Sequence, residues 1–234
     1  MFLNACGPSP SAPHAAYYGA HTMTEAKICG LTTPEAVEAA LQGGATYLGF
    51  VFFPKSPRCL TPESARPLFE MARGRARTVA LVVDPSESYL AELVDQVAPD
   101  LIQLHGSETP EQVSRLRRAA KDTPVIKAIP VGSAEDLEVA DDYESADFLM
   151  FDATPPKDAD RPGGHGKPFD WKLLKDRVFK KPWFLAGGLH GGNVEEAVRQ
   201  SGAALVDVSS GVEREVGCKD PALISTFLDA VRRA

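Results

Sequence analysis

The stretch LIQLHGSETPEQVSRLRRA, residues 101–119, contains one complete copy of the unit from which the fold is built. Its first four residues are mostly apolar and form a run of the length expected for a β-strand. After a polar turn, Thr109, Pro110 and Glu111 place a capping residue, a proline and an acidic residue in the order that begins many helices. An amphipathic segment follows them. The stretch therefore predicts a strand followed by a helix.

This strand-then-helix pattern occurs eight times along the chain. The predicted strands are residues 26–29, 47–52, 78–83, 101–104, 125–129, 148–152, 183–186 and 205–208. The predicted helices are residues 35–42, 63–71, 88–97, 111–119, 135–142, 171–175, 195–200 and 222–231. Right-handed crossovers between parallel strands give an open doubly wound sheet or a closed barrel, and eight regular units favour closure. We therefore predict an α/β protein with a single (β/α)8 TIM barrel over residues 23–234.

The composition is that of an acidic globular protein. Of the 234 residues, 44% are hydrophobic and 24% are charged, which is sufficient for a sizeable core. The net charge of −7 disfavours nucleic-acid phosphates and anionic membranes as partners. The densest basic cluster, Arg73, Arg75 and Arg77, is interpreted as a solvated helix end. No apolar run approaches the roughly 20 residues of a membrane span. We expect neither a nucleic-acid nor a membrane partner.

The cysteines give no sign of a disulfide scaffold or a metal site. No pair among Cys6, Cys29, Cys59 and Cys218 has the CxxC spacing of zinc sites. We therefore expect no bound metal and a cytoplasmic protein.

Residues 1–22 differ from the rest of the chain. They contain Pro, Ser, Gly and Ala without a clear period, and they lack the basic and apolar regions of a secretory signal. We predict a disordered N-terminal extension before the barrel domain.

Polar side chains stand at the ends of several predicted strands. Side chains alternate between the two faces of a strand, and the helix-covered outer face of a barrel is apolar. The polar sets should therefore point inward at the mouth, where the active sites of these barrels lie. These residues are Lys27 and Cys29 on strand one, Gln103 and His105 on strand four, Asp152 on strand six, and Asp207 and Ser209 on strand eight.

Each of these residues also has a structural interpretation. A lone cysteine such as Cys29 is more often a small buried hydrophobic residue than a base. An aspartate at a strand end, such as Asp152, often caps the following helix. His105 alone fits pocket lining and a structural hydrogen bond equally well. Lys27 and Asp207 lie on strands that become neighbours when a barrel closes, and we predict that they form an ion pair there.

Two glycine-containing turns at the last two strand ends are typical of a phosphate site. Glycine lets backbone N–H groups approach an anion, and these two loops bind phosphate in many such barrels. Ordinary tight turns remain the alternative. The predicted phosphate-binding residues are Gly187, Gly188 and Leu189 after strand seven, and Ser209, Ser210 and Gly211 after strand eight. The long loop 153–168 is predicted to close over a substrate.

Eight short segments occur in a fixed order along the chain. They are KICGL (27–31), GFVF (49–52), SPR (56–58), QLHG (103–106), GGHG (163–166), FDW (169–171), LAGGL (185–189) and VDVSSGVE (206–213). Taken in this order, they resemble the phosphoribosylanthranilate isomerase family from about residue 27 to the C-terminus. Two features depart from the family pattern: His165 stands where Thr or Ser is common, and Pro168 precedes Phe169.

The resemblance implies an Amadori rearrangement in tryptophan biosynthesis. N-(5′-phosphoribosyl)anthranilate, a phosphorylated aminosugar, becomes 1-(2-carboxyphenylamino)-1-deoxyribulose 5-phosphate. The resemblance implies Asp152 as the acid that protonates the ribose ring oxygen and Cys29 as the base that removes the C2′ proton. A thiol suits this role if nearby positive charge lowers its pKa. The iminium nitrogen accepts the electrons, so we expect no cofactor.

The same resemblance suggests how the substrate is bound. A guanidinium matches the two oxygens of a carboxylate, so Arg58 is predicted to bind the anthranilate carboxylate. Gln103, His105 and Asp207 are predicted to line or orient the pocket. We expect a monomer or a homodimer.

The residue types at the strand ends also help to distinguish this function from alternative functions. A metal-dependent epimerase would need His and Asp ligands on several strand ends, where only His105 is available. A histidine-pathway aminoaldose isomerase would have Asp at the end of strand one, in place of Cys29. Indole-glycerol-phosphate synthase would need Lys and Glu at strand ends that hold other residues in this chain. A catalytically silent, phosphate-binding barrel is the non-enzyme alternative. The joint presence of Cys29, Asp152, Arg58 and both glycine turns favours the isomerase.

Overall fold

The eight predicted strands close into one parallel barrel. The structure is a computed structural model, and it describes residues 23–121, 123–154, 163 and 168–234. Each strand is hydrogen-bonded to the next, and β8 pairs with β1. The strands are β1 (Glu25–Cys29), β2 (Tyr47–Val51), β3 (Arg77–Val82), β4 (Leu101–Leu104), β5 (Val125–Val131), β6 (Phe148–Ala153), β7 (Trp183–Leu185) and β8 (Leu205–Val208).

Helices lie between the strands and end the chain. The α-helices are α1 (Pro34–Gln42), α2 (Pro62–Ala72), α3 (Glu87–Val97), α4 (Pro110–Ala119), α5 (Val194–Ser201) and α6 (Pro221–Arg233). The predicted caps are present: Thr109 accepts from the Gln112 backbone N–H, and Gln112 bonds back to the Thr109 N–H. The predicted (β/α)8 barrel is confirmed, with every strand boundary within two residues of its prediction.

Two predicted helices are shorter or tighter than the sequence suggested. The connections after β5 and β6 contain the 3-10 helices Glu135–Asp142 and Trp171–Leu174 instead of α-helices. The first has no side-chain N-cap hydrogen bond and no basic residue in its last turn, which removes two sources of α-helix stability. The second has only four residues, about one turn.

Strand alternation divides the buried side chains into an interior and an outer set. The outer set packs the strands against the helices and contains most of the core, including Phe50 and Phe227. The interior set fills the lower part of the barrel, which is therefore a packed core and not a pore. Its members are Tyr47, Val79, Leu101, Ile126, Ala128, Met150, Phe184, Ala186 and Leu205.

A buried ion pair joins β5 to the loop after β4, and we call Lys127 and Glu108 the wall pair. Lys127 alternates with the interior residues Ile126 and Ala128, so its side chain points to the outer, helix-covered wall. Its Nζ lies 2.6 Å from Glu108 Oε2 and donates to the Gly106 carbonyl at 2.8 Å. Both side chains are 2% exposed.

A small hairpin follows β8 and was not predicted from the sequence. Strands β9 (Glu213–Glu215) and β10 (Cys218–Lys219) pair antiparallel, with Lys219 opposite Glu213. Gly217 adopts a φ of +82° in the turn, a conformation that other residues rarely adopt.

Two predictions stay open because they lie outside the described residues, namely the N-terminal extension 1–22 and most of the loop 153–168, including His165. Among the helices of the described segments, none has the length and apolar character needed to cross a membrane.

Candidate active site

The mouth of the barrel carries a lysine–aspartate pair directly below a cysteine. Lys27 and Asp207 are register partners on β1 and β8, and Lys27 Nζ lies 2.7 Å from Asp207 Oδ1. The predicted ion pair is therefore confirmed. Cys29, two residues further along β1, shares the inner face. A Cβ added to Gly49 would come within 3.0 Å of both Cys29 Sγ and Lys27 Nζ, so glycine leaves room for the two groups to lie side by side.

The surroundings of Cys29 act on its thiol in opposite directions. Burial raises the pKa of the Cys29 thiol, and the nearby charges of Lys27 and Lys219 lower it only in part. The positive charge expected from the sequence is present, but desolvation outweighs it. Burial lowers the pKa of Lys27, whereas Asp207 raises it above its ordinary value, so Lys27 stays an ammonium group beside the thiol.

A chain of three polar side chains lies on β4 and β6. Gln103 Nε2 is 2.7 Å from His105 Nδ1, and His105 Nε2 is 3.1 Å from Asp152 Oδ2. With Gln103 donating to Nδ1, the proton of a neutral His105 is on Nε2 and points to Asp152. Asp152 Oδ1 accepts from the Ala153 backbone N–H at 2.8 Å. Both oxygens of the carboxyl group are thus held in place at the strand end.

Glycines let the backbone pack directly against this chain. A Cβ on Gly163 would lie 2.9 Å from both Asp152 Oδ2 and His105 Nε2. A Cβ on Gly187, whose φ is +87°, would lie 2.6 Å from the Ala153 nitrogen. Any larger residue at either position would displace the carboxyl group or its neighbours.

The two glycine turns predicted to bind phosphate lie against each other. A Cβ on Gly211 would lie 1.9 Å from the Leu189 carbonyl oxygen, so the loops after β7 and β8 are in direct contact. Asn193 braces the first loop by donating to the Gly188 carbonyl at 2.9 Å. The N–H groups of Gly188, Leu189 and Gly211 donate to no acceptor of a described residue. These donors suit an anion.

A third group of charges borders the mouth, and we call Arg58, Glu213 and Lys219 the mouth triad. Arg58 Nε and Nη2 donate to the two carboxylate oxygens of Glu213 at 2.6 and 2.7 Å. Lys219 Nζ lies 2.6 Å from Glu213 Oε1. The side chains of Arg58, Glu213 and Lys219 are 5%, 3% and 1% exposed. Burial alone raises the pKa of Glu213, but its two cationic partners hold it at about 2.

The structure places the predicted site residues at the carboxyl-terminal end of the barrel and adds others. Cys29, Gln103, His105, Asp152 and Asp207 lie at the carboxyl ends of the strands as expected. Sequence reasoning missed Lys219 and the partnership of Glu213 with Arg58. The available signal was the opposite charge of Glu213 and Lys219 on either side of a glycine turn. Among the described residues, no group of three or more His, Cys, Asp or Glu is arranged to hold a metal ion.

A closed (β/α)8 barrel with a thiol, a carboxyl group and two glycine turns at its mouth has the architecture of a barrel enzyme. The family model for N-(5′-phosphoribosyl)anthranilate (PRA) isomerase matches residues 26–230. The chain belongs to this family.

Individual relatives agree with this assignment. The N-(5′-phosphoribosyl)anthranilate isomerase of Caulobacter vibrioides is 54% identical over 211 residues, which are 89% of this chain and 96% of that protein. The crystal structure of the Thermotoga maritima phosphoribosylanthranilate isomerase has a TM-score of 0.81 and 34% identity, covering 91% of this chain and all of that one. A second structure, in complex with reduced 1-(o-carboxyphenylamino)-1-deoxyribulose 5-phosphate, has a TM-score of 0.77, 32% identity and the same coverage of both chains.

Proposed function

We propose that this barrel isomerises N-(5′-phosphoribosyl)anthranilate with Cys29 as general base and Asp152 as general acid. Family membership makes the chain an isomerase of tryptophan biosynthesis that acts on this substrate. The observation that supports the residue assignment is the placement of a thiol and a carboxyl group on the inner face of β1 and β6, at the same end of the barrel. A thiol can act as a general base and a carboxyl group as a general acid.

The acid step opens the sugar ring. Asp152 protonates the ribose ring oxygen, and the C1′–O bond breaks to give a protonated Schiff base. His105 and the Ala153 N–H orient the carboxyl group for this transfer.

The base step moves the double bond. Cys29 removes the C2′ proton, and the electron pair flows to the iminium nitrogen to form an enolamine, which tautomerises to the aminoketose. Since burial raises the pKa of Cys29, the ammonium of Lys27 is needed to stabilise the thiolate. The substrate itself accepts the electrons, so the reaction requires no cofactor.

The remaining predicted site residues bind the substrate in this proposal. Arg58 contacts the anthranilate carboxylate, while Gln103, His105 and Asp207 orient the sugar. The relative solved with a reduced phosphorylated product supports a phosphorylated ligand. The phosphate lies against Gly187, Gly188, Leu189, Ser209, Ser210 and Gly211.

The protein acts on this small molecule in the cytoplasm as a monomer or a homodimer. One solved structure is described as generated monomers of the dimeric phosphoribosylanthranilate isomerase of Thermotoga maritima.

Two substitutions test the assignment of acid and base. Cys29→Ser and Asp152→Asn should each lower kcat by about 10²- to 10⁴-fold, the usual contribution of a positioned acid or base, with an unchanged circular dichroism spectrum. Cys59→Ser, at an exposed thiol, and Asp141→Asn, at an exposed ion pair, are the controls and should keep wild-type kcat. Near-normal turnover in either mouth variant would refute its role. Restored growth of an isomerase-deficient tryptophan auxotroph separates the enzyme from a silent barrel.

A further inference from the structure

The mouth triad carries an unbalanced charge. Lys219 Nζ contacts Glu213 Oε1 at 2.6 Å, the Ser209 carbonyl at 2.9 Å and Ser209 Oγ at 3.3 Å. Burial lowers the pKa of Lys219, and Glu213 opposes this shift. The three acceptors match the three N–H donors of the ammonium form. Within the described part of the chain, Glu213 is the only carboxylate that pairs with Arg58 or Lys219. Two cations and one anion give a net charge of +1 among side chains that are at most 5% exposed.

The geometry of Arg58 leaves one edge of its guanidinium group for a ligand. Nε and Nη2 form the side-on contact with Glu213. The terminal edge, formed by Nη1 and the second N–H of Nη2, donates to no described residue. That edge can hold a second carboxylate with two parallel hydrogen bonds. Arg58 packs over Gly30, where an added Cβ would lie 2.4 Å from Arg58 Cδ, so the arginine lies beside Cys29.

The arginine–glutamate pair alone is a poor anion site. A guanidinium that already shares its charge with a carboxylate presents a net charge of zero, and Glu213 would repel an incoming carboxylate. The ammonium group of Lys219 contacts Glu213 Oε1, the same oxygen that Arg58 Nε contacts. Lys219 therefore adds one positive charge to the neutral Arg58–Glu213 pair. At low local dielectric, one extra charge over a few ångströms is a large effect.

The hairpin holds this arrangement rigidly. Lys219 is the register partner of Glu213 across β9 and β10, and the Gly217 N–H donates to Glu213 Oε2 at 3.1 Å. A Cβ on Gly217 would lie 3.1 Å from the Pro57 carbonyl oxygen, so the hairpin turn packs on the residue before Arg58. The loop after β2 and the hairpin after β8 therefore position the triad together.

We infer that Lys219 is a positioning residue for recognition of the anthranilate carboxylate: it fixes Glu213, orients Arg58 and supplies the positive charge that the Arg58–Glu213 pair lacks. The inference rests on the proposed role of Arg58 as the carboxylate ligand. It makes the mouth triad, and not Arg58 alone, the determinant that selects an aminosugar with an acidic aromatic group.

A pair of substrates tests this inference. Condensation of ribose 5-phosphate with anthranilate or with aniline gives two substrates that differ only in the carboxylate. The measured quantity is the carboxylate preference, the ratio of kcat/KM for the two compounds. In Lys219→Met this preference should fall at least about tenfold, mainly through a higher KM for the carboxylate substrate. Lys219→Arg, which keeps the charge, should restore most of it.

Control variants separate positioning from a structural role. Lys127→Met removes the lysine of the wall pair, which is also buried and has a Glu partner at the same distance, and should keep the wild-type preference. Lys219→Gln is a second neutral variant in case Lys219→Met does not fold. In an Arg58→Met background, Lys219→Met should cause little further loss of preference, because Lys219 acts through Arg58.

Two results would overturn the inference in distinguishable ways. If Lys219→Met slows both substrates equally while the wild type prefers the carboxylate, Lys219 does not serve carboxylate recognition, and the role of Arg58 stands. If the wild type itself shows no preference, the proposed role of Arg58 fails first.

Discussion

Lys219 and Lys127 make nearly the same contacts, but they belong to groups of different net charge. Each is a buried lysine whose Nζ lies 2.6 Å from a glutamate oxygen and within 3 Å of a backbone carbonyl oxygen. The wall pair has a net charge of zero and faces the helices. The mouth triad contains a second cation, Arg58, and borders the thiol. The comparison teaches that the geometry of one lysine–glutamate pair does not determine the net charge of its surroundings, which is zero in the wall pair and +1 in the mouth triad.

The largest expected effect is on the wall pair. Lys127→Met leaves Glu108 as a buried, unpaired carboxylate and should lower the free energy of unfolding by about 3–5 kcal/mol, measured by urea denaturation. In the double variant Lys127→Met/Glu108→Leu, part of this loss should be recovered, because no buried charge remains. A stability close to the wild type in the single variant would mean that water reaches this pair, and the comparison with the mouth triad would break.

Acid stability tests the mouth triad. The pKa of Glu213 in the folded protein is about 2, below its ordinary value of 4.5. A depressed carboxyl pKa stabilises the fold above about pH 4.5, and this contribution is lost as the pH falls toward 2. Allowing for solvent screening at the mouth, the contribution is about 2 kcal/mol.

Unfolding of the wild type and of Glu213→Gln at pH 5, 4 and 3 measures this contribution. The variant should lose less stability across that interval than the wild type. Glu38→Gln is the control: Arg75 also lowers the pKa of this carboxyl group, but the pair is exposed and screened by solvent, so the variant should change the pH dependence much less than Glu213→Gln. Parallel wild-type and Glu213→Gln curves would show that the triad does not depress the pKa of Glu213.

The same contrast explains what the sequence could predict. The barrel strands were predicted because strands covered on both faces are apolar runs, as in β2, whose five residues are all buried. The Lys27–Asp207 ion pair was predicted because closure of the barrel makes β1 and β8 neighbours. The alternation of side chains along the strands also predicted that Gln103, His105 and Asp152 lie at the same mouth, although it did not predict their contacts.

The mouth triad could not be predicted in the same way. The hairpin of β9 and β10 is short and polar, so it has no apolar period to detect. Arg58 and Glu213 are separated by 155 positions, and only the folded barrel brings them together. The sequence also shows the charges near Cys29 but not the depth of its burial, which determines the direction of its pKa shift.

A third buried lysine allows the effect on the thiol to be separated from substrate binding. Lys27→Met removes a cation that lowers the pKa of the Cys29 thiol, so the pKa should rise further in this variant. The rate of Cys29 alkylation by iodoacetamide between pH 7 and 10, followed by peptide mass spectrometry, reports this pKa. Lys127→Met should leave the titration unchanged. An unshifted titration in Lys27→Met would show that Lys27 only balances Asp207.

The smallest expected effect concerns the turn that holds the mouth triad. Gly217 and Gly202 both have positive φ angles, +82° and +76°. Alanine at either position should cost about 1 kcal/mol of stability, measured by urea denaturation, because of backbone strain. A Cβ at Gly202 meets nothing within 4 Å, whereas one at Gly217 lies 3.1 Å from the Pro57 carbonyl oxygen.

Only Gly217→Ala should therefore displace the hairpin from the loop that carries Arg58. We expect a rise of a few-fold in the KM of the carboxylate substrate for Gly217→Ala, about 1 kcal/mol or less in binding, and none for Gly202→Ala. Equal KM values in the two variants would show that the contact with Pro57 does not position Arg58. The mouth triad would then be held in position by its ion pairs alone, as the wall pair is.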